Sequence, residues 1–412
     1  MDHDSDSKST LPIRRKLFFL AIILGLFVLL ILLLDGLIRV IDPPKKVGYQ
    51  PDETFFVDLK PGVSKVYERT PANGGQAITW RTNSLRLRGP EPSNADFRIL
   101  VVGDSNIQAR FSSHEHTYCA RLEAILNDDE ADTRTYAVLN GGVIGFGPDQ
   151  SYLRLRERID ELAPDLVLFH LFADNDAGDL VRNRLFRLGK SGGFEPTPQV
   201  TDPVWCEFYP NPIERWWRSS LFVRLQEKIR HQRRKKRDPS TRKGIVIEEE
   251  KKRVAEEYMG YLAGEAPISP FNDAYDYDIA LDPGSGSAVH KIKLLSHLLR
   301  RVADLAKEKA SPIVTIIQPS ARDLTTNLKP GFSELIKAAP ATYDPSNLTE
   351  GFARACDASG LKTLNLFGPF NRHTDPDSLF FGGTNDHWND AGQDLAARET
   401  ALFLRQNGLE NH

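Results

Sequence analysis

Five apolar runs alternating with stretches of helical periodicity constrain the fold of this 412-residue chain more than any other feature. RILVVG at 98–103 is followed by apolar positions at Tyr118, Leu122, Ile125 and Leu126, and Tyr136–Leu139 is followed by a helical pattern through Tyr152 and Leu155. The run Asp165–Leu171 comes next. Later, a helical pattern over Val289–Lys309 precedes PIVTIIQPS at 312–320, Asn347–Ser359 is again helical, and Leu361–Leu366 supplies a last strand. Ala391–Arg405 closes the chain as an amphipathic helix with Ala396, Leu402 and Leu404 among its apolar positions. Runs that are apolar at every position must be covered on both faces, and the alternation with helices predicts a parallel α/β sheet.

Outside this rhythm, Leu17–Leu34 is an unbroken apolar run of 18 residues. As a helix it spans roughly 27 Å, close to the thickness of a bilayer core. It is read as a transmembrane anchor at 17–41 behind a polar tail at 1–16. A cleaved signal peptide is the competing reading, although Asp35, Gly36 and Leu37–Ile41 offer no small-x-small cleavage site. Arg14, Arg15 and Lys16 directly before the helix favour a cytoplasmic N-terminus over the pull of Arg39, Lys45 and Lys46, placing the rest of the chain in the periplasm or outside the cell. Residues 42–95, broken by Pro61-Gly62 and Asn73-Gly74-Gly75, read as a β-rich extension, and 96–412 as the main domain.

Residues 181–285 interrupt the strand–helix rhythm and read as a helical insertion. It carries Trp205, Tyr209, Trp216 and Trp217, then the basic run Lys228–Lys243, then acidic positions from Glu248 to Glu257. Insertions at this edge of a sheet form lids or substrate walls. A solvated helical arm is the plainer reading and membrane apposition the sharper one. The net charge of −3 gives no overall attraction to polyanions, and no nucleic-acid partner is expected. Cys119, Cys206 and Cys356 are too scattered for a disulfide scaffold and read as buried free thiols. His114 and His116 form a pair without a third ligand at convincing spacing, so no metal is expected; with no phosphate loop, neither is a nucleotide cofactor.

Four short blocks carry the chemistry: VVGDSN at 101–106, NGGVIG at 140–145, ADND at 173–176 and NDHWN at 385–389. Ser105 follows an apolar strand, where a hydroxyl projects from the C-terminal sheet edge at which open α/β sheets bind ligands. A serine hydroxyl needs a nearby imidazole to accept its proton, and His387 stands in a loop before the last helix. These blocks resemble the SGNH (GDSL-type) hydrolases, over about Asn83 to Arg405. The resemblance implies a flavodoxin-like three-layer α/β/α fold with Ser105 as nucleophile and His387 as general base. It also implies an oxyanion hole made by the Ser105 and Gly145 N–H groups and the Asn175 side chain. The implied function is hydrolysis of an ester, an acetylated glycan or a lipid, through an acyl-enzyme, with no cofactor and with the membrane as partner through the N-terminal helix.

Two positions depart from the family pattern. Ala173 stands where glycine is usual in the third block. The acid is expected two or three residues before the histidine, where this chain has Asn385 and Thr384; Asp386 is taken as the catalytic acid, with Asp375, Asp377 or a simple Ser–His dyad as alternatives. Gly142 competes with Gly145 for the oxyanion role, and Asn175 with Asp176 for capping the following helix. Because DHWN at 386–389 also resembles a signature of polysaccharide O-acetyltransferases, acyl transfer to a sugar hydroxyl is the nearest alternative function. A phospholipase and a non-catalytic binding module are the others.

Overall fold

The computed structural model describes residues 12–41, 48–69, 75–129, 132–189, 192–197, 220, 223, 226, 229, 247–265, 274–325, 343–382 and 385–409. The chain divides into two compact units, one of Met1–Lys46 with Pro210–Arg242 and one of Val47–Tyr209 with Lys243–His412. In the first, helix α1 (Ile13–Ile41) contains a stretch, Ile13–Leu37, with a mean hydropathy of 3.4, long and apolar enough to cross a membrane.

The second unit begins with two antiparallel hairpins, β1 (Tyr49–Asp52) with β2 (Phe56–Leu59) and β3 (Ser64–Glu68) with β4 (Ala77–Arg81). Both hairpins lie within the stretch 42–95 that its turn residues mark as rich in strands. It is fastened by a buried ion pair from Arg154 to Asp58 at 2.8 Å, and Arg86 reaches the same carboxylate at 2.9 Å. The stretch 82–91 folds as a small edge hairpin in which Thr82 pairs with Arg88 and Arg88 with Asn140.

The sheet comprises β5 (Phe97–Val102), β6 (Tyr136–Asn140), β7 (Leu166–Ala173), β10 (Ile313–Pro319) and β11 (Lys362–Asn365), all parallel, in the spatial order β11-β10-β7-β5-β6. The hairpin β8 (Phe186–Leu188) with β9 (Phe194–Pro196) lies outside it. Numbered within the sheet, the order is 2-1-3-4-5, the flavodoxin-like arrangement, whose switch point lies between β5 and β7.

Strand alternation divides the core into two layers. Ile99 and Val101 of β5 pack with α3 (Tyr118–Asn127) and the C-terminal helix α12 (Asp390–Gln406). Leu100 and Val102 face the opposite layer. That layer contains α4 (Pro148–Leu162), α8 (Gly286–Lys309) and α10 (Asn347–Asp357). Of the insertion, the described parts are the C-terminal turn of α5 (Asp176–Asn183), the β8–β9 hairpin, α6 (Ile247–Leu262) and α7 (Tyr277–Leu281). The insertion is therefore part strand rather than purely helical. Apart from Ile229, the basic run Lys228–Lys243 lies outside the described residues, as do Trp205, Tyr209, Trp216, Trp217 and Cys206. Cys119 and Cys356 are buried free thiols.

Candidate active site

Strand β5 ends at Val102, and the chain turns at once into the short helix α2 (Ser105–Gln108). Gly103 permits the turn, because a Cβ there would come within 2.9 Å of both His170 and Ile107. Asp104 caps α2 by accepting the N–H of Asn106 at 2.9 Å, which fixes the turn. Ser105 is thereby left at the sheet edge, half-buried.

His387 arrives from the opposite end of the chain in a loop held at several points. Its carbonyl accepts the N–H of Phe381 at 3.0 Å. The adjacent Trp388 is buried against Phe370, and its backbone N–H donates to Asn106 Oδ1 at 3.0 Å. Asn389 caps α12 through the N–H groups of Ala391 and Gly392, while Gly392 is pressed against the carbonyl of Leu379 so closely that a Cβ would stand 2.3 Å from it. The backbone of the His387 loop is tied to α2, since the residue after His387 is bonded to the residue after Ser105. Ser105 Oγ lies 2.7 Å from His387 Nε2.

The third position differs from the expectation. His387 Nδ1 lies 2.8 Å from Asn385 Oδ1, which also accepts the backbone N–H of His387 at 3.2 Å. The backbone N–H, a donor only, assigns that atom as the amide oxygen; facing an acceptor, Nδ1 is assigned the proton, which leaves Nε2 to accept from the serine. Asp386, expected as the acid, has its Oδ1 3.6 Å from Nδ1, beyond hydrogen-bond length. Its Oδ2 accepts from Arg322 Nη2 at 3.1 Å instead. Asn385 reaches the ring because its side chain turns back on the chain, the amide oxygen accepting the N–H two residues on, as in an Asx-turn. Asp375 caps a short turn at 376–379 and its carbonyl accepts from Ser378, and Asp377 lies within that turn; neither is among the residues that line the site. Thr384 lies outside the described residues.

Arg322 lies in α9 (Ala321–Leu324), just past the end of β10, and bridges Asp386 and Asp174, whose Oδ1 it reaches at 3.1 Å. Burial works against its charge, but Asp174 and Asp386 more than offset this and raise its pKa. The guanidinium also sits over the ring of Tyr275 at 5.3 Å. Neither Arg322 nor Asp174 was singled out in the sequence; the available signal was that each stands just past the C-terminal end of a buried strand.

Gly145 and Asn175 line the same cavity, of about 30 Å³, together with Ser105, Phe146, Phe172, Arg322 and His387. Gly145 has φ of +73°, a conformation L residues avoid. Gly142 does not line it: its N–H donates to Asn140 Oδ1 at 3.1 Å, and a Cβ would stand 2.4 Å from the Gln108 nitrogen. Ala173 is buried at the end of β7. Asn175 occupies the cap position of α5 through its carbonyl, which accepts the N–H of Asp179 at 2.8 Å, without a side-chain cap bond. Asp176 does not cap either; its carboxyl accepts the Phe172 N–H at 2.6 Å, and burial, reinforced by Asp104 and Asp179, pushes its pKa well up.

No protein-family model and no curated protein matches the chain. Among solved structures it is similar to LAE5, an α/β hydrolase enzyme from the metagenome of Lake Arreo, Spain, at 15% identity and a TM-score of 0.36, covering 78% of this chain and 99% of that one. It is also similar to the lipase/acylhydrolase of Enterococcus faecalis (10% identity, TM-score 0.37, 76% and 96% coverage). A third is Axe2, an acetylxylan esterase from Geobacillus stearothermophilus (13%, 0.34, 76% and 95%). At such identities the likeness concerns shape, and the chemistry rests on the residues themselves.

Proposed function

We propose that the protein is a serine ester hydrolase acting through an acyl-enzyme. The observation that carries this reading is the 2.7 Å contact between Ser105 Oγ and His387 Nε2 at the switch point of the sheet. Ser105 Oγ attacks the ester carbonyl as its proton passes to Nε2. The oxyanion then accepts from the N–H groups of Ser105 and Gly145 and from Asn175 Nδ2. Collapse expels the alcohol, which takes the proton from His387, and water activated by the same imidazole releases the acid and restores the serine. A cavity of about 30 Å³ beside Ser105 supports a short acyl group, acetyl above all, over a long lipid chain.

The apolar helix α1 anchors the enzyme in this reading. Arg14, Arg15 and Lys16 keep its start in the cytoplasm and leave the hydrolase outside, where an acetylated glycan is the fitting substrate. The test is turnover of an aryl acetate by the full chain in detergent. Ser105→Ala and His387→Ala should each lower kcat by at least about 10³-fold, and near wild-type rates in either would contradict the assignment.

A further inference from the structure

Four charged residues line the cavity together with His387: Asp104 from the β5–α2 turn, Asp174 from the end of β7, Arg322 from α9 and Asp386 from the loop of His387. Asp386 is the carboxylate nearest the imidazole and the only one beside it in sequence, yet it is turned towards Arg322. The geometry explains why. Arg322 is a planar fork whose two terminal nitrogens are each used, Nη1 on Asp174 and Nη2 on Asp386, both at 3.1 Å. Asp174 is itself fixed, since Ser320 donates to its Oδ2 and its carbonyl accepts the Asp276 N–H at 2.7 Å. The fork is thus anchored on the β7 side and holds Asp386 from there, with Tyr275 beneath it at 5.3 Å. Asp386 Oδ1 stops 3.6 Å from Nδ1, and the Asn385 amide oxygen takes the bond at 2.8 Å.

We propose that Arg322 is a positioning residue that holds the carboxylate of Asp386 off His387, so that the neutral amide of Asn385 orients the base and the site works as Ser105–His387–Asn385. The inference deepens the esterase reading and rests on it. A neutral third residue fixes the tautomer and ring orientation as an aspartate would, but it stabilises the imidazolium less. Ion-paired to Arg322, the Asp386 carboxylate acts on His387 less than a free one would. The base then loses its extra proton at lower pH than one paired with a free carboxylate, and the active form extends to more acidic conditions.

The test is a double-mutant cycle on the full chain in detergent, comparing wild type, Arg322→Gln, Asp386→Asn and the double variant. Two readouts are taken: the His387 imidazole titration by NMR with labelled histidine, assigned with His387→Ala, and the pH dependence of the rate at which a fluorophosphonate labels Ser105. Arg322→Gln should raise the His387 midpoint by about one pH unit more when Asp386 is present than when it is Asn, because only then does a released carboxylate reach Nδ1. Equal shifts in the two backgrounds would mean that Arg322 acts only as a distant charge, and would overturn the proposal. Should Arg322→Gln not fold, Asn385→Ala reads the same assignment: with Asp386 latched, labelling at pH 7 should slow tenfold or more, and an unchanged rate would overturn it. The NMR titration needs no turnover, so the latch can fail while Ser105 is labelled, and the esterase reading can fail while the latch is seen.

Discussion

The side-chain amide of Asn175 donates to the carboxylate of Asp179 at 3.1 Å. Arg182 locks the pair from behind, reaching Asp179 Oδ1 through Nη2 at 2.7 Å and through Nε at 3.0 Å, and the Asn175 carbonyl at 2.9 Å. All three residues are buried, so the amide is held by a charge-assisted network rather than by loop packing. If Asn175 is an oxyanion donor, Asn175→Ala should lower kcat by about 10²–10³-fold with little change in KM, since the bond it makes strengthens only as charge develops. Asp179→Ala should lower kcat in the same direction while leaving Ser105 labelled. Steady-state kinetics on an aryl acetate decide the matter.

Acyl preference follows from the size of the cavity. With about 30 Å³ beside Ser105, the specificity constant for aryl acetate should exceed that for aryl octanoate by tenfold or more. A preference for the longer chain would remove the support for acetylated substrates.

Two glycines of the NGGVIG block should separate stability from catalysis. At Gly142 an added Cβ would stand 2.4 Å from the Gln108 nitrogen and 2.7 Å from the Ile107 carbonyl carbon, backbone atoms that cannot step aside. Gly142→Ala should cost about 3 kcal/mol or more by chemical denaturation. Gly145→Ala, strained by its φ of +73°, should cost about 1–2 kcal/mol. It should nevertheless lose more activity among the molecules that remain folded.

Stability should respond to acid through His170. Burial pushes the pKa of this imidazole, stacked edge-on to Tyr118, down to about 3. The unfolded chain takes up its proton near the ordinary value of about 6.5. The contribution of neutral His170 is therefore complete above that pH and is lost as pH falls towards 3. Buried Asp149 and Asp323, with pKa values raised by burial to about 7 and about 8, act in the opposite sense, so the effect is isolated by difference. Relative to His170→Leu, wild type should lose about 2–3 kcal/mol between pH 7 and pH 4.5 in urea unfolding. A constant difference would contradict the assignment.

Much of this architecture was legible in the sequence because apolar periodicity reports burial directly. The runs at 98–103, 136–139 and 312–320 became β5, β6 and β10, and the helical pattern over Val289–Lys309 became α8, starting at Gly286. Ser105 and His387 were legible because strand ends and loop histidines have short local signatures. The partner of Nδ1 was not. Whether Asn385 or Asp386 reaches the imidazole depends on where an arginine 64 residues away in sequence places a carboxylate, and no local pattern encodes that. The β8–β9 hairpin was missed for a related reason: its strands are three residues each, too short for periodicity to show.

The central claim is that Ser105 is an activated nucleophile, and covalent capture tests it most directly. The full chain in detergent should be labelled by a fluorophosphonate to one equivalent per protein, with the adduct on Ser105 by peptide mass spectrometry and with no labelling of Ser105→Ala. A folded protein that stays unlabelled, or one labelled equally well without the Ser105 hydroxyl, would contradict the account.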